Sequence, residues 1–344
     1  MSRQNITFHL AERPTGSVVP GQTFEQKSVP APTAEYLKDG QVLVEVLYLS
    51  LDPYMRGMLN STRSYIAPVA IGQKMVGGAI SRVLASKSPK AAPGDVIYAI
   101  TGWTEVAIVP EQMIEAFKLP EGVKLTDMLT VAFNGPAMAA YIGLQSKADV
   151  QPGNTVVVSA ASGATGHIVG QIAKIKGARV IGITGSDEKC RWLCDELGFD
   201  AALNYKSPNF VAKLEEVTPG MIDVYWDNVG GWTLEVALAR AAKFARYVIC
   251  GGAAQYNLPE PERQGIKNII EIGKQRVRME GFVVMDHMKD IPEARATLLQ
   301  WITEGRLKTK ETIVKGGITV ADTAFEKLFT GDKLGKLYVE VKAP

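Results

Sequence analysis

The sequence predicts an α/β protein in two parts, a β-rich domain and a doubly wound parallel sheet. Two observations lead there. Between about residue 40 and residue 118, short β-type runs are punctuated by Gly and Pro, whereas after Pro152-Gly153 apolar strand-like runs alternate with helical stretches. At 344 residues the chain also exceeds the usual size of a single hydrophobic core, which favours two domains.

In the first part the strand-like runs are 41–48, 78–85, 95–100 and 104–109. A small-residue helical stretch follows over 126–145, with Ala132, Ala139, Ala140 and Leu144 suited to close packing. The alternating part then reads strand 155–159, helix 167–176, strand 178–183, helix 187–197, strand 222–226, helix 233–242 and strand 246–250. Val156-Val157-Val158 and Val180-Ile181-Gly182-Ile183 are continuous apolar runs, as expected of parallel strands covered on both faces. A last helix over 291–304 precedes strands at 312–314 and 337–341, which are expected to rejoin the first domain. No internal repeat or low-complexity segment interrupts this order.

With 46% hydrophobic and 22% charged residues and a formal net charge of +2, the chain carries no strong field, so nucleic acid is excluded as a partner. No run approaches the roughly 18 apolar residues needed to span a bilayer, and the start leads into no signal-type core. A cytoplasmic protein without membrane attachment is expected. Cys190, Cys194 and Cys250 are too few for a disulfide framework and suit a reducing compartment; Cys190 and Cys194, one helical turn apart, read as ordinary helix residues. His9, His167 and His287 are the only histidines and lie far apart in sequence, so no zinc site is expected.

The chemical signal is a glycine turn. Strand 155–159 runs into Ala160-Ala161-Ser162-Gly163-Ala164-Thr165-Gly166 and then an amphipathic helix, the setting in which a turn cradles a dinucleotide pyrophosphate. Gly163 lets backbone approach phosphate oxygens, Gly166 lets helix and strand pack closely, and the helix start offers N–H donors and a positive dipole end. Tight strand-to-helix turns also use glycine for steric reasons alone. An NAD site normally carries a carboxylate about 20 residues on, for the ribose 2′-hydroxyl. Here the next strand ends Ile183-Thr184-Gly185-Ser186, with Lys189 following, which suits the 2′-phosphate of NADPH. The alternative for Lys189 is one more solvated helix lysine, and Asp187 is the contrary sign, although as helix N-cap it has a structural task.

These residues resemble the zinc-free branch of the medium-chain dehydrogenases/reductases that contains prostaglandin, alkenal/one and curcumin reductases. The resemblance spans essentially the whole chain. It rests on 48–57 (Tyr-Leu-Ser-Leu-Asp-Pro-Tyr-Met-Arg-Gly), the glycine turn, 185–189 (Gly-Ser-Asp-Glu-Lys), 227–231 (Asp-Asn-Val-Gly-Gly), 250–257 (Cys-Gly-Gly-Ala-Ala-Gln-Tyr-Asn) and 281–284 (Gly-Phe-Val-Val). It implies a GroES-like substrate domain from residues 1–128 and 306–344, a Rossmann NADPH-binding domain over 129–305, and a homodimer. It further implies that Ser162, Gly163, Ala164, Thr165 and Gly166 hold the pyrophosphate, and that Gly185, Ser186, Lys189 and Tyr205 meet the adenosine end. Asn228 and Cys250, Gly251, Gly252, Ala253 and Tyr256 would line the cofactor, Phe282, Val283 and Val284 would flank the nicotinamide, and Pro53 and Tyr54 would close the other side. Two departures stand out: Lys333 occupies a position where the family has asparagine, a point charge in place of an amide, and the family's Gly-Met-Pro-Gly reads Asn134-Gly135-Pro136-Ala137.

The expected chemistry is reduction of the carbon–carbon double bond of an α,β-unsaturated ketone or aldehyde: hydride to the β-carbon, then a proton to the α-carbon of the enolate. No metal is needed if a hydrogen-bond donor meets the oxygen where charge develops. Tyr256 is the first candidate for donor or proton source, and Tyr65, on the loop after Arg56-Gly57, the second, with packing anchor as its alternative. The rivals are a zinc-free quinone oxidoreductase, a non-catalytic NADPH-binding sensor and, disfavoured by its missing ligands, a zinc alcohol dehydrogenase.

Overall fold

The computed structural model describes residues 3–131 and 135–344. Ala132 and Asn134, singled out above, lie outside the described residues. The chain divides into two compact units, Met1–Ala132 with Glu311–Lys333 and Leu337–Pro344, and Phe133–Lys310 with Leu334–Lys336.

The first unit opens with the antiparallel pair β1 (Gln4–Leu10) and β2 (Phe24–Pro30), then β3 (Gln41–Leu51), α1 (Met55–Met58), β4 (Gly78–Ser86), β5 (Val96–Ile100), β6 (Val106–Pro110), β7 (Ile114–Ala116) and α2 (Leu125–Val131). β3, paired antiparallel with β4 on one edge and β6 on the other, is buried nearly throughout because both its faces are covered, Val42 and Val44 joining one apolar cluster and Leu43 another. The second unit begins with α3 (Pro136–Gly143), and then the strand–helix alternation sets in. β8 (Thr155–Val158), α4 (Gly166–Ile175), β9 (Arg179–Thr184), α5 (Asp187–Asp195), β10 (Ala201–Asn204), α6 (Phe210–Val217), β11 (Ile222–Asp227), α7 (Gly231–Leu238) and β12 (Ala241–Ile249) follow in turn. α8 (Ile270–Gln275), β13 (Arg278–Gly281) and α9 (Ile291–Thr303) complete it, after which β14 (Glu311–Lys315), α10 (Ala321–Thr330) and β15 (Lys336–Glu340) return the chain to the first unit, where β15 pairs with β3.

The second unit's sheet has the order β10-β9-β8-β11-β12-β13, with every pair parallel. Val156, Val157, Val158, Val180 and Ile181 are fully buried, as a strand covered by helices on both faces requires. The strand order reverses between β8 and β11, so the crevice at their carboxyl ends is the natural ligand position of such a sheet.

The largest boundary differences from expectation lie between α7 and β12, where the strand read over 246–250 begins already at Ala241. The helix read over 233–242 ends at Leu238, because the chain turns there (Arg240 N–H to Ala237 O, 2.9 Å) and Ala241 already pairs with Ile222 of β11. The apolar Ala-Leu-Ala-Arg-Ala-Ala run continues the helical pattern past the turn, so periodicity alone overruns it.

Candidate functional site

The parallel sheet delivers most of the predicted residues to the carboxyl ends of its strands. After β8 the backbone takes a left-handed step at Ala160 (φ 45°), and Ala161 N–H returns to Ile183 O of β9. Gly163 N–H closes the turn on Ala160 O at 2.9 Å. Gly166 starts α4 hard against this turn: a Cβ there would lie 2.8 Å from Ala161 Cα, and it would also strike Ala160 O, both of them backbone. Only glycine fits without moving the turn away from the helix. Among the described residues the N–H groups of Ala164 and Thr165 have no acceptor, and Thr165, the N-cap, makes no side-chain cap. Donors left open at a helix start suit an anion. The Ser162 hydroxyl does not face outward for that purpose; it hydrogen-bonds Thr184 Oγ1 at 2.6 Å, while Ser162 O accepts Gly335 N–H.

At the end of β9, Gly185 and Ser186 lead into α5. Ser186, extended at φ −156° and ψ 156°, is the N-cap, its Oγ accepting Lys189 N–H. This corrects the expectation that Asp187 caps the helix: Asp187 is the first helical residue, and its carboxylate accepts a hydrogen bond from Asn204 Nδ2 at 2.9 Å. Tyr205 follows β10, 41% exposed, its N–H on Thr184 O and its ring 3.3 Å from where a Gly185 Cβ would sit. Gly185, Ser186, Lys189 and Tyr205 thus share one corner of the sheet. Cys190 and Cys194 lie on α5 as free thiols; burial first, then Asp187, pushes Cys190 up to about 11, which disfavours a thiolate.

At the β11–β12 end the architecture turns on a residue absent from the expected site list, Asp227. Fully buried, its carboxylate accepts Ser159 Oγ–H and the N–H groups of Val229 and Gly230, and its backbone O accepts Cys250 and Gly251 N–H. Burial raises its carboxyl above the ordinary range, and the hydrogen bonds from Gly230, Val229 and Ser159 pull it back. Asn228 spans two strands: Nδ2 donates to Ser159 O at 2.7 Å and Oδ1 accepts Trp226 Nε1–H at 3.1 Å. Asn228 O in turn accepts Ala253 N–H, which ties the loop after β12 to the loop after β11.

Tyr256 closes that second loop. Its hydroxyl accepts Gly252 N–H at 3.1 Å, and a Cβ on Gly251 would stand 3.3 Å from that oxygen and 3.1 Å from Asn228 O. Among the described residues the hydroxyl's own hydrogen meets no acceptor. Burial holds the phenol above the ordinary tyrosine range, against the opposing Gly252 N–H, so it is a neutral donor at neutral pH. Cys250 is pushed up to about 12 by burial and Asp227, and stays a thiol. Phe282 continues the edge, its N–H on Ile249 O, its ring packed on Trp226 and His287. Gly143 makes room for it, since a Cβ there would lie 3.2 Å from Phe282 Cε1. Val283 and Val284 come next, half-buried at the start of a 3-10 segment, Val284–Asp290.

Four predicted residues belong to the other unit. Pro53 and Tyr54 precede α1, with Tyr54 packed on the core and its phenol held well above the usual range by burial and then Asp52. Tyr65 lies on the loop beyond α1, 58% exposed. Lys333 sits in the turn after α10, its N–H on Gly331 O. Among the described residues no three His, Cys, Asp or Glu side chains converge to hold a metal ion.

Sequence reasoning missed Ser159, Asp227 and Asn204 as organisers. The available signal was position: each is a polar residue at or next to the end of an otherwise apolar parallel strand, where an unpaired polar group would be costly.

Known proteins are similar to this chain in sequence and fold. A family model for the N-terminal domain of oxidoreductases matches residues 7–117, and one for zinc-binding dehydrogenases matches 164–304. Prostaglandin reductase 1 of Bos taurus is 39% identical, with 96% of each chain covered, and the NADP(+)-dependent 2-alkenal reductase of Nicotiana tabacum is 38% identical over 87% of each. The crystal structure of CurA from Vibrio vulnificus in complex with NADPH matches with a TM-score of 0.89 at 34% identity, covering 98% of this chain and 100% of that one. The chain therefore belongs to the zinc-independent, NADP-dependent reductases of the medium-chain dehydrogenase/reductase family.

Proposed function

We propose that this protein uses NADPH to reduce the carbon–carbon double bond of α,β-unsaturated ketones and aldehydes. The observation that carries the reading is the turn ending at Gly166, with open Ala164 and Thr165 donors, in a chain alike along 96% of its length to a prostaglandin reductase. The relative named for 2-alkenals supports the substrate class.

NADPH, when bound, supplies the hydride that reaches the β-carbon. The chain's own residues do the rest. The Ser162–Gly166 turn holds the pyrophosphate through backbone N–H groups, and Lys189 and Tyr205 take the 2′-phosphate. Asp227 O holds the Cys250 and Gly251 N–H groups and Asn228 O holds that of Ala253, so the nicotinamide side is fixed by backbone hydrogen bonds rather than by mobile side chains. Tyr256, protonated and with an open O–H, stabilises the developing enolate oxygen or delivers the proton to the α-carbon. Three free cysteines support a reducing, cytoplasmic setting, and the family resemblance supports a homodimer, which light scattering tests.

The test follows NADPH absorbance while the purified protein meets enones, enals and quinones, with NADH in parallel. Enone-dependent oxidation, weak with NADH, is expected. Turnover of quinones alone would make the protein a quinone oxidoreductase, and binding without turnover a sensor.

A further inference from the structure

The 2′-phosphate that separates NADPH from NADH is close to a dianion at neutral pH, and one lysine, half-buried Lys189, leaves part of that charge unmatched. The corner between β9 and β10 holds another cation. Asn204 ends β10 opposite Thr184 of β9, so the chain leaves the sheet directly beside Gly185. Tyr205 N–H bonds Thr184 O at 3.0 Å, and Lys206 N–H bonds Asn204 Oδ1 at 3.1 Å, which fixes the exit. A Cβ on Gly185 would lie 3.3 Å from Tyr205 Cε1 and 3.7 Å from Lys206 Cε, so both side chains overlie the same glycine at the strand tip.

Lys206 is laid along its neighbour, Nζ 5.9 Å from the Tyr205 ring centroid. Among the described residues its ammonium meets no carboxylate. Asp187, at the start of α5, is engaged by Asn204 Nδ2 at 2.9 Å. One asparagine therefore holds the carboxylate with its amide nitrogen and the lysine's backbone with its amide oxygen.

We propose that Lys206, steadied on Tyr205, is the second cation of the 2′-phosphate site and a determinant of NADPH over NADH, with Asn204 as its positioning residue. This rests on the reading of Lys189 and Tyr205 as the phosphate corner. A rigid aromatic support lowers the entropy lost when the long side chain is fixed on an anion. Because the charge is exposed, its effect falls with salt.

The test is calorimetric titration of the intact, cofactor-free protein with adenosine 2′,5′-bisphosphate and with 5′-AMP, for wild type, Lys206→Gln and Lys206→Arg. Lys206 is exposed, so neither variant threatens the fold. Lys206→Gln is expected to weaken the bisphosphate about five- to tenfold, an effect shrinking in 0.5 M salt, with 5′-AMP unchanged and Lys206→Arg within about twofold of wild type. If Lys206→Gln leaves the bisphosphate unaffected while wild type still prefers it to 5′-AMP, Lys206 is excluded and the corner keeps its role. A wild type with no such preference overturns both readings, and equal losses for both ligands, or an Arg variant as weak as Gln, overturn the role of Lys206 charge.

Discussion

At the β9–β10 corner the groups proposed for the adenosine end reach solvent: Tyr205 is 41% exposed, Lys206 beside it is exposed, and Lys189, half-buried, stands in the first turn of α5. At the β11–β12 corner the organising groups are buried and act by hydrogen bonds: Asp227 is fully buried, and the Tyr256 hydroxyl is held by a backbone N–H. On the proposed reading, the same sheet would hold one end of the cofactor by solvent-screened charge and the other by fixed hydrogen bonds. Selectivity between cofactors and positioning for chemistry are separable, and they should respond to different perturbations.

The strongest perturbation is the element both ends share. Gly166→Val forces a side chain into the Ala160–Ala161 backbone, and loss of at least about 100-fold in affinity, equal for NADPH and NADH, is expected in fluorescence titration. Unchanged affinity would remove the turn from the site. Next, Lys189→Ala should raise the KM for NADPH about 20-fold and leave NADH unaffected, the difference fading in 0.5 M salt. A salt-independent loss would place Lys189 with the buried corner and erase the contrast.

Tyr256→Phe should act at the other corner, lowering kcat about tenfold, or roughly 1.4 kcal/mol, with no change in NADPH affinity and no dependence on salt. Its pH behaviour gives the smallest effect. A phenol held above the ordinary value of 10.0 is protonated throughout the range below it, so the Tyr256-dependent part of the rate stays level up to pH 9 and declines only as pH rises past that ordinary value. A decline with a midpoint below 9, present in wild type and absent in Tyr256→Phe, would contradict a raised phenol.

The contrast also sets what the sequence revealed. β8, β9 and β11 were legible because central parallel strands are near-continuous apolar runs, and the glycine turn because backbone geometry dictates its residues. β10, four residues of Ala-Ala-Leu-Asn, and β13, Arg-Met-Glu-Gly, were not: these edge strands are too short to show a period, β13 is polar besides, and their pairing is a tertiary fact. The β1–β2 pair escaped for a similar reason, with charged Glu25 and Lys27 interrupting the pattern of β2. Among the candidate site residues, Lys189 is suggested by its place after the β9 tip and Tyr256 by the family resemblance. Asn204 and Lys206 could not be named so, since their meaning depends on the register that sets β10 against Thr184 and Gly185. The misplaced cap at Asp187 has the same origin: Ser186 and Asp187 are both good capping types, and only the extended backbone of Ser186 chooses between them.

A double-bond reductase delivers hydride to the β-carbon of the enone rather than to its carbonyl carbon. NADPH deuterated at the transferred position of the nicotinamide, incubated with the protein and an acyclic enone, provides the direct measurement by proton NMR of the product. The account predicts a saturated ketone carrying deuterium at the β-carbon and a solvent proton at the α-carbon, at a rate reduced in Tyr256→Phe. An allylic alcohol with deuterium on the former carbonyl carbon would contradict it.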